Sequence, residues 1–529
     1  MLKKLIILAV IAVLIYCGLH LAVKKVQGDG PEVGTTGLRF QEVELDHTHA
    51  GDLKASLPFM GMCAVDIDGD GVDEIFIGGG HGSEDALFRF SGDRFAPVAG
   101  FSGFDKAEKD ATFGSASLDV TGDGLDDLFV ARESGVYLFI NQGGGAFEGE
   151  EISFGLADNT VPLSVALGDV DQDGDVDLYV SGYIKVELME GQTNFDKTYG
   201  GYSYLLRNEG NNVFVDASEE SGVFRKHNTF TAMFVDLDND GWPDLTVAQD
   251  TGLVETWRNQ GDGTFEVLEN PTVYSFPMGI GAGDVDNDGD VDLYYSNVGR
   301  TLPQQLVKGN LTADDPFNPF YTLLRNDAGT GFTDVAEATG SEDLGFGWGV
   351  LMADFNNDSL MDLYAAQNYA TFPGVEFFDL YPGRLLQQTP EGQFFSVEEE
   401  AGLTNKNFGV TQVVSDFNQD GWQDIVLGNV TGETRAFLSG GSHGASWLQV
   451  RLPDGAAALN SRVQVTMADG RELTRQLFAS ESFASDQTDV VHFGLGAYEG
   501  TVTVTVKPSG KAPSRVYENV PVNQYLDAY

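Results

Sequence analysis

The chain has 529 residues and carries 81 Asp and Glu against 30 Lys and Arg, a formal charge of −51. That excess excludes nucleic acid and anionic membrane surfaces as electrostatic partners, because phosphate binding needs clustered Lys and Arg. The two cysteines, Cys17 and Cys63, have no plausible pairing and exclude a disulfide framework.

At the N-terminus, Met-Leu-Lys-Lys precedes an apolar stretch from Leu5 to Val23, broken only by His20 and followed by Lys24 and Lys25. Its length suffices to cross a bilayer as a helix and exceeds the core of a typical cleaved signal. Residues 1–27 are therefore expected to form a membrane anchor, with a cleaved signal and secretion as the alternative. Acylation at Cys17 would need a small residue before it, where Tyr16 stands. Lysines at both ends do not orient the helix. Residues 28–36 (GDGPEVGTT) read as a polar linker.

From residue 37 to 440 one unit recurs seven times. Each copy has an apolar, Gly-containing strand, a nine-residue acidic loop, a second strand such as Asp177-Leu-Tyr-Val, a third ending in Asn and a turn, and a fourth opening on Phe. The loops start at Asp66, Asp119, Asp169, Asp236, Asp284, Asp354 and Asp416, at intervals of 48 to 70 residues. Four short strands per repeat at that period predict an all-β fold, a seven-bladed β-propeller. The seventh repeat stops after Arg435-Ala-Phe-Leu, and Phe40-Gln-Glu-Val-Glu-Leu looks like a fourth strand without a blade. The N-terminal strand is therefore predicted to complete blade seven and remove two sheet edges.

The loops place oxygen-bearing side chains at positions 1, 3, 5 and 9. These are Asp66, Asp68, Asp70 and Glu74 in loop one, and Asp119, Thr121, Asp123 and Asp127 in loop two. Loop three has Asp169, Asp171, Asp173 and Asp177; loop four has Asp236, Asp238, Asp240 and Asp244. Loop five has Asp284, Asp286, Asp288 and Asp292; loop six has Asp354, Asn356, Asp358 and Asp362; loop seven has Asp416, Asn418, Asp420 and Asp424. A hard cation wants six to eight oxygens from a loop that curls around it, so the expected cofactor is Ca2+, up to seven ions, one per blade. An EF-hand would put Glu at position 12 between helices, whereas position 12 here is apolar (Ile77, Val180, Val247) and strands flank the loop. Carboxylate counts, and Ser359 where Gly is expected, predict weakest binding in loop six and next weakest in loop two. Weak calcium sites suit millimolar calcium outside the cytoplasm, so the body is expected there, in the periplasm or at the cell surface. Seven divalent ions would leave about −37, an acidity that suits a solvated surface.

Blades three, five and six carry insertions between their second and third strands, on the face opposite the loops. They hold Tyr183, Tyr199, Tyr202, Phe317, Phe320, Tyr321, Phe372, Phe377, Phe378 and Tyr381. Aromatic loops on a rigid scaffold can bind ligands, but most of these are expected to pack the insertions onto the propeller. Residues 445–529 alternate apolar and polar without acidic loops, as in Val463-Gln-Val-Thr-Met and Thr501-Val-Thr-Val-Thr-Val, and predict a small β-sandwich with a hairpin at Ala468-Asp-Gly.

The loops with their following strands resemble FG-GAP/VCBS repeats of integrin α-like propellers. Trp447-Leu-Gln-Val-Arg-Leu, Ser480 to Ser485, His492-Phe-Gly-Leu-Gly and Val506-Lys-Pro-Ser-Gly resemble an ASPIC/UnbV domain, with Lys507 where the family usually shows Trp. The combination is similar to the cartilage-acidic-protein family. The resemblance implies a seven-bladed calcium propeller engaged in extracellular adhesion or in binding protein or glycan, and it supplies no catalytic motif.

An enzymatic alternative, a polysaccharide lyase or hydrolase, needs a base and a charge-stabilising group in one pocket. The residues available are His81, His227 and Arg132 on loops of the insertion face. A third reading is a scaffold subunit of an envelope complex. His47-Thr-His49 with Asp46 and Asp52 has transition-metal ligand types, but a solvated loop is the ordinary reading. His492 is expected to be structural, and Cys63 a small buried apolar residue.

Overall fold

The computed structural model describes residues 31–529, apart from 53–54, 190–194, 196–198, 300–307, 330, 369–381, 441–443, 454, 511 and 529. The expected anchor, Cys17, and Phe372, Phe377, Phe378 and Tyr381 lie outside these residues. Among the described residues no helix is long and apolar enough to cross a membrane.

The fold is all-β and propeller-like. Among the described residues each acidic loop joins the first two strands of a four-stranded antiparallel sheet; seven such sheets follow one another, the first and seventh joined into one continuous sheet and the third carrying a short fifth strand, Arg225–Lys226. Their first strands are Met62–Val65, Thr112–Leu118, Thr160–Gly168, Thr229–Val235, Ile280–Gly283, Gly347–Ala353 and Gly409–Ser415. Each lies against the first strand of the next sheet, and the seventh lies against the first, so the sheets close in a cycle. These strands are buried along nearly their whole length, which is why they read as apolar runs rather than alternations. Crowding near the axis selects glycine: a Cβ on Gly114 would sit 2.5 Å from the Leu163 carbonyl, and one on Gly349 2.3 Å from Ser482 Oγ.

The cycle closes through the N-terminal strand. Arg39–Leu45 pairs antiparallel with Arg435–Gly440 and, at Glu44 and Leu45, parallel with Arg94 and Phe95 of sheet one. The strand count predicts the first pairing; the second ties sheet seven to sheet one.

Residues from Ser446 onward form two further sheets around one core. Ser446–Arg451 pairs with Val490–Gly496 and Gln524–Asp527, and Arg462–Met467 lies between Glu472–Gln476 and Thr501–Lys507. Leu448, Val450, Val463, Val465, Phe493 and Val504 fill the space between them.

The segment linking Glu472–Gln476 to Val490–Gly496 does not stay within this sandwich. It enters the axis of the seven sheets and caps the free edges of their first strands. Ser482 exchanges backbone bonds with Ile280 (2.7 and 2.9 Å), and Ser485–Asp486 pairs parallel with Met62–Cys63. Ser117 N–H donates to Asp486 Oδ2 (3.0 Å), Ala282 N–H to Glu481 Oε1 (3.0 Å) and Val414 N–H to Gln487 Oε1 (2.8 Å). At its tip Phe483 is fully buried among Phe59, Phe230 and Trp348. Innermost strands have an unpaired row of donors, and this segment bonds to those of sheets one, two, five, six and seven.

Candidate metal centres

The acidic loops are built the same way in every sheet. Position 1 organises the turn: Asp66 Oδ1 accepts from Gly69 N–H (2.9 Å) and Oδ2 from Gly71 N–H (2.7 Å), as Asp119 does from Gly122 and Gly124 (both 2.7 Å). Position 5 accepts from the position 7 N–H, for example Val72 to Asp70 (2.9 Å) and Trp242 to Asp240 (2.8 Å). Position 4 is left-handed throughout, with Gly69 and Gly122 in loops one and two and Gln172, Asn239, Asn287, Asn357 and Gln419 in the others. Ser359 at position 6 of loop six also takes a positive φ, 80°. The turn there demands the conformation glycine adopts freely.

Position 9 is the first residue of the second strand and is fully buried in all seven loops. In Asp177, one carboxylate oxygen accepts from Val170 N–H (2.8 Å) and the other from Asn208 N–H in the third strand (2.8 Å). Asp127, Asp244 and Asp292 repeat both bonds. The third-strand residue adds a link that its place in a turn does not suggest. Asn141 Nδ2 donates to the Ile67 carbonyl of the preceding loop (3.0 Å), Asn259 to Val170 (2.8 Å), Asn326 to Leu237 (2.7 Å) and Gln388 to Val285 (2.8 Å). Recurrence of an amide at that register was the signal available in the sequence.

The carboxylates fit a cation. In loops one, three, four and five, ligand oxygens of three acidic residues lie within 4.8 Å of one another: Asp66, Asp68 and Asp70; Asp169, Asp171 and Asp177; Asp236, Asp238 and Asp240; Asp284, Asp286 and Asp292. Glu74 turns away to Arg89, so loop one gathers positions 1, 3 and 5 only. Burial raises Asp177 and Asp292 to about 8, against backbone bonds that favour the anion, and raises Asp169, Asp236 and Asp284 to about 6. Such groups resist ionising together unless positive charge enters the loop.

The C-terminal sandwich sits on this loop face. Gln449 Nε2 and Tyr525 O–H donate to Asp416 Oδ2 (2.8 and 2.6 Å), and His492 Nε2 lies 2.7 Å from Asn357 Oδ1. Arg451 donates to the Gly71 carbonyl (2.8 Å) and Arg462 to that of Gly289 (2.5 Å). A cavity of about 120 Å³ remains between sheets five, six and seven and the sandwich, lined by Arg475, Glu481, His492 and Gln423 among others. His492 is thus a structural contact, and what it contacts is the sixth acidic loop.

The remaining sequence candidates are placed by three different sheets: His81 in the first, Arg132 in the second and His227 beside the fourth. His81 Nε2 lies 2.5 Å from Glu133 Oε2, whose partner oxygen accepts from Ser56 (2.7 Å). Arg132 is buried on Asp85 (2.8 Å), which also holds Lys106 (2.8 Å). His227 belongs to sheet four, its Nδ1 3.0 Å from the Asn228 carbonyl. The solvated-loop reading of His47–His49 needs correction, since His49 is 2 % exposed. Its Nδ1 accepts from Thr431 N–H (3.1 Å), so Nε2 carries the proton and the ring offers no lone pair to a metal. Among the insertion aromatics, Tyr183 and Tyr321 are buried, and Phe317 packs with Phe195 and Phe276. Cys63 is fully buried.

Residues 119–180 and 236–295 match the family described as FG-GAP-like repeat, and residues 453–528 match ASPIC and UnbV. The chain is similar to cartilage acidic protein 1 of Mus musculus (24 % identity, covering 88 % of this chain and 64 % of that protein) and of Homo sapiens (23 %, 88 % and 62 %). It thus spans just under two thirds of those relatives' length. It is also similar to the solved structure of an Agrocybe aegerita lectin described as recognising non-reducing terminal N-acetylglucosamine (17 % identity, 75 % of this chain and 93 % of that one, TM-score 0.38). That likeness is too distant to bear on function.

Proposed function

We propose that this chain is a seven-bladed, calcium-binding propeller that works outside the cytoplasm as a binding or adhesion module for a protein or glycan, tethered by its N-terminal residues. The observation that carries the calcium reading is the gathering of three carboxylates within 4.8 Å in each of four loops. When bound, calcium would supply the positive charge that lets these buried acids ionise together. Asp66, Asp119, Asp169, Asp236, Asp284, Asp354 and Asp416, with their partners at positions 3, 5 and 9, would hold it, except that Glu74 at position 9 of loop one is drawn to Arg89. The loops' own hydrogen bonds set the turn and keep one side of each carboxylate turned to the backbone.

The contacts of the C-terminal sandwich with the acidic loops, and of its axial segment with the first strands, support a ligand face elsewhere on the propeller. Millimolar calcium outside the cytoplasm suits such loops and supports the extracytoplasmic placement. The FG-GAP-like repeats and the similarity to cartilage acidic protein 1 support a binding or adhesion module.

Calorimetry of the EDTA-stripped chain tests the calcium reading. A site saturated a hundredfold above its Kd adds about 2.7 kcal/mol, so four or more sites should raise Tm by roughly 10 °C on calcium addition. An unchanged Tm with no calcium uptake would overturn it. Glycan-array binding by the calcium-loaded protein, and co-purification from solubilised membranes, test the ligand class.

A further inference from the structure

Because the seven repeats are in register, every site residue has six counterparts. The second residue of the second strand pairs with one residue of the third: Ile75 with Phe88, Leu128 with Phe139, Leu178 with Leu206, Leu245 with Trp257, Leu293 with Leu324, Leu363 with Leu386, and Ile425 with Phe437. The next third-strand residue in each sheet is Arg89, Ile140, Arg207, Arg258, Arg325, Gln387 and Leu438. Position 3 of the same loops is Asp68, Thr121, Asp171, Asp238, Asp286, Asn356 and Asn418. Arginine occurs in all four sheets whose loop has Asp at position 3 and in none of the other three.

The pairing is physical. Arg89 Nη2 lies 2.5 Å from Asp68 Oδ2 while its Nε is on Glu74 at position 9, Arg258 Nε lies 2.8 Å from Asp238 Oδ2, and Arg207, held by Glu209 at 2.6 Å, reaches within 3.9 Å of Asp171 Oδ2. Arg325 holds the same register in sheet five, with its Nη2 2.9 Å from Asp327 Oδ1. At the ligand positions, four carboxylates and a guanidinium leave −3, and three carboxylates alone leave −3. Counted over positions 1, 3, 5 and 9 and this arginine alone, leaving out Glu209, Glu220 and Asp327 that also pair with Arg207 and Arg325, all seven loops carry the same formal charge. Acidic residues at positions 7 and 8, such as Asp175 and Asp290, stand outside this ligand set.

We propose that the third-strand arginine is a specificity-determining residue that touches position 3 without being a ligand. It holds each four-carboxylate loop at the charge of its three-carboxylate neighbours, which sets its affinity for divalent cations and its discrimination against trivalent ones. The proposal rests on the calcium reading of the loops. It also removes the ground for ranking the loops by carboxylate count alone. Ligand charge tunes affinity in oxygen-lined sites, and a guanidinium at this range opposes an ion in proportion to the ion's charge.

The sign of the effect separates this role from a scaffolding one. In the full-length, EDTA-stripped protein, Arg258→Gln takes loop four to −4. Isothermal titration should then show one equivalent of calcium bound tighter by roughly tenfold, with a larger gain for Tb3+. If the arginine only shapes the loop, the same variant binds more weakly or unchanged, and the proposal fails. Loop six gives the reciprocal test should Arg258→Gln not fold: Asn356→Asp should tighten one site, and Asn356→Asp with Gln387→Arg should return it to the parent value. A pair that fails to reverse overturns the proposal. No uptake by the parent protein would instead sink the calcium reading beneath it.

Discussion

Phe483→Ala tests whether the C-terminal sandwich and the seven sheets melt as one body. Phe483 is fully buried, with ring centroids 5.3, 5.6 and 5.5 Å from those of Phe59, Phe230 and Trp348. Residues of sheets one, four and six thus meet on one side chain from outside the cycle. Truncating such a ring costs about 3–5 kcal/mol. Unfolding entropy near 2.1 cal/mol/K per residue gives about 1 kcal/mol/K for a body of about 500 residues, so a shared transition should fall by roughly 3–5 °C. If the C-terminal residues melted alone, about 80 residues would carry only about 0.2 kcal/mol/K, and their transition would fall by about 20 °C. Scanning calorimetry in saturating calcium separates the cases. One peak displaced by a few degrees is expected. A second peak far below the first, or a peak that does not move, would refute the claim that the axial segment binds the two parts into one unit.

Glu481→Gln should flatten the pH dependence of stability. Burial raises the Glu481 carboxyl to about 8, while Oε1 accepts from Ala282 and Met352 N–H (3.0 and 3.3 Å). The folded protein therefore keeps a proton that the unfolded chain releases near pH 4, and stability is lost as pH rises from about 4 to about 8. Glutamine keeps the acceptor and removes the titration, so Tm measured at pH 5 to 8 should fall less in the variant; parallel curves would contradict this. Ser359→Gly should raise the urea midpoint, with a gain of about 1 kcal/mol, because φ of 80° suits glycine and the buried serine hydroxyl has no partner. A lowered midpoint would show that serine has a use at that turn.

Local chemistry that repeats was legible in the sequence, and chemistry that depends on neighbours was not. Asp at positions 1, 3, 5 and 9 identifies the loop because every ligand oxygen comes from one short segment. The strand order within a repeat, and the missing fourth strand supplied by Phe40 and its neighbours, follow from turn residues and from counting. Glu74 shows the limit: its spacing makes it a ligand, and Arg89 from another strand draws it away. His49 shows it again, since only the fold brings Thr431 within reach and decides which ring nitrogen holds the proton.

By itself the sequence determined the period, the all-β character and the acid-lined turns, because each depends on residues a few positions apart. Tertiary structure alone decided that the segment around Phe483 leaves its own sandwich for the axis of the seven sheets, and that the sandwich covers the acidic loops. Those contacts join residues more than a hundred positions apart, such as Asp416 with Tyr525 and Ser117 with Asp486. They exist because unpaired strand edges and clustered negative charge must find partners, and only closing the ring brings those partners within range.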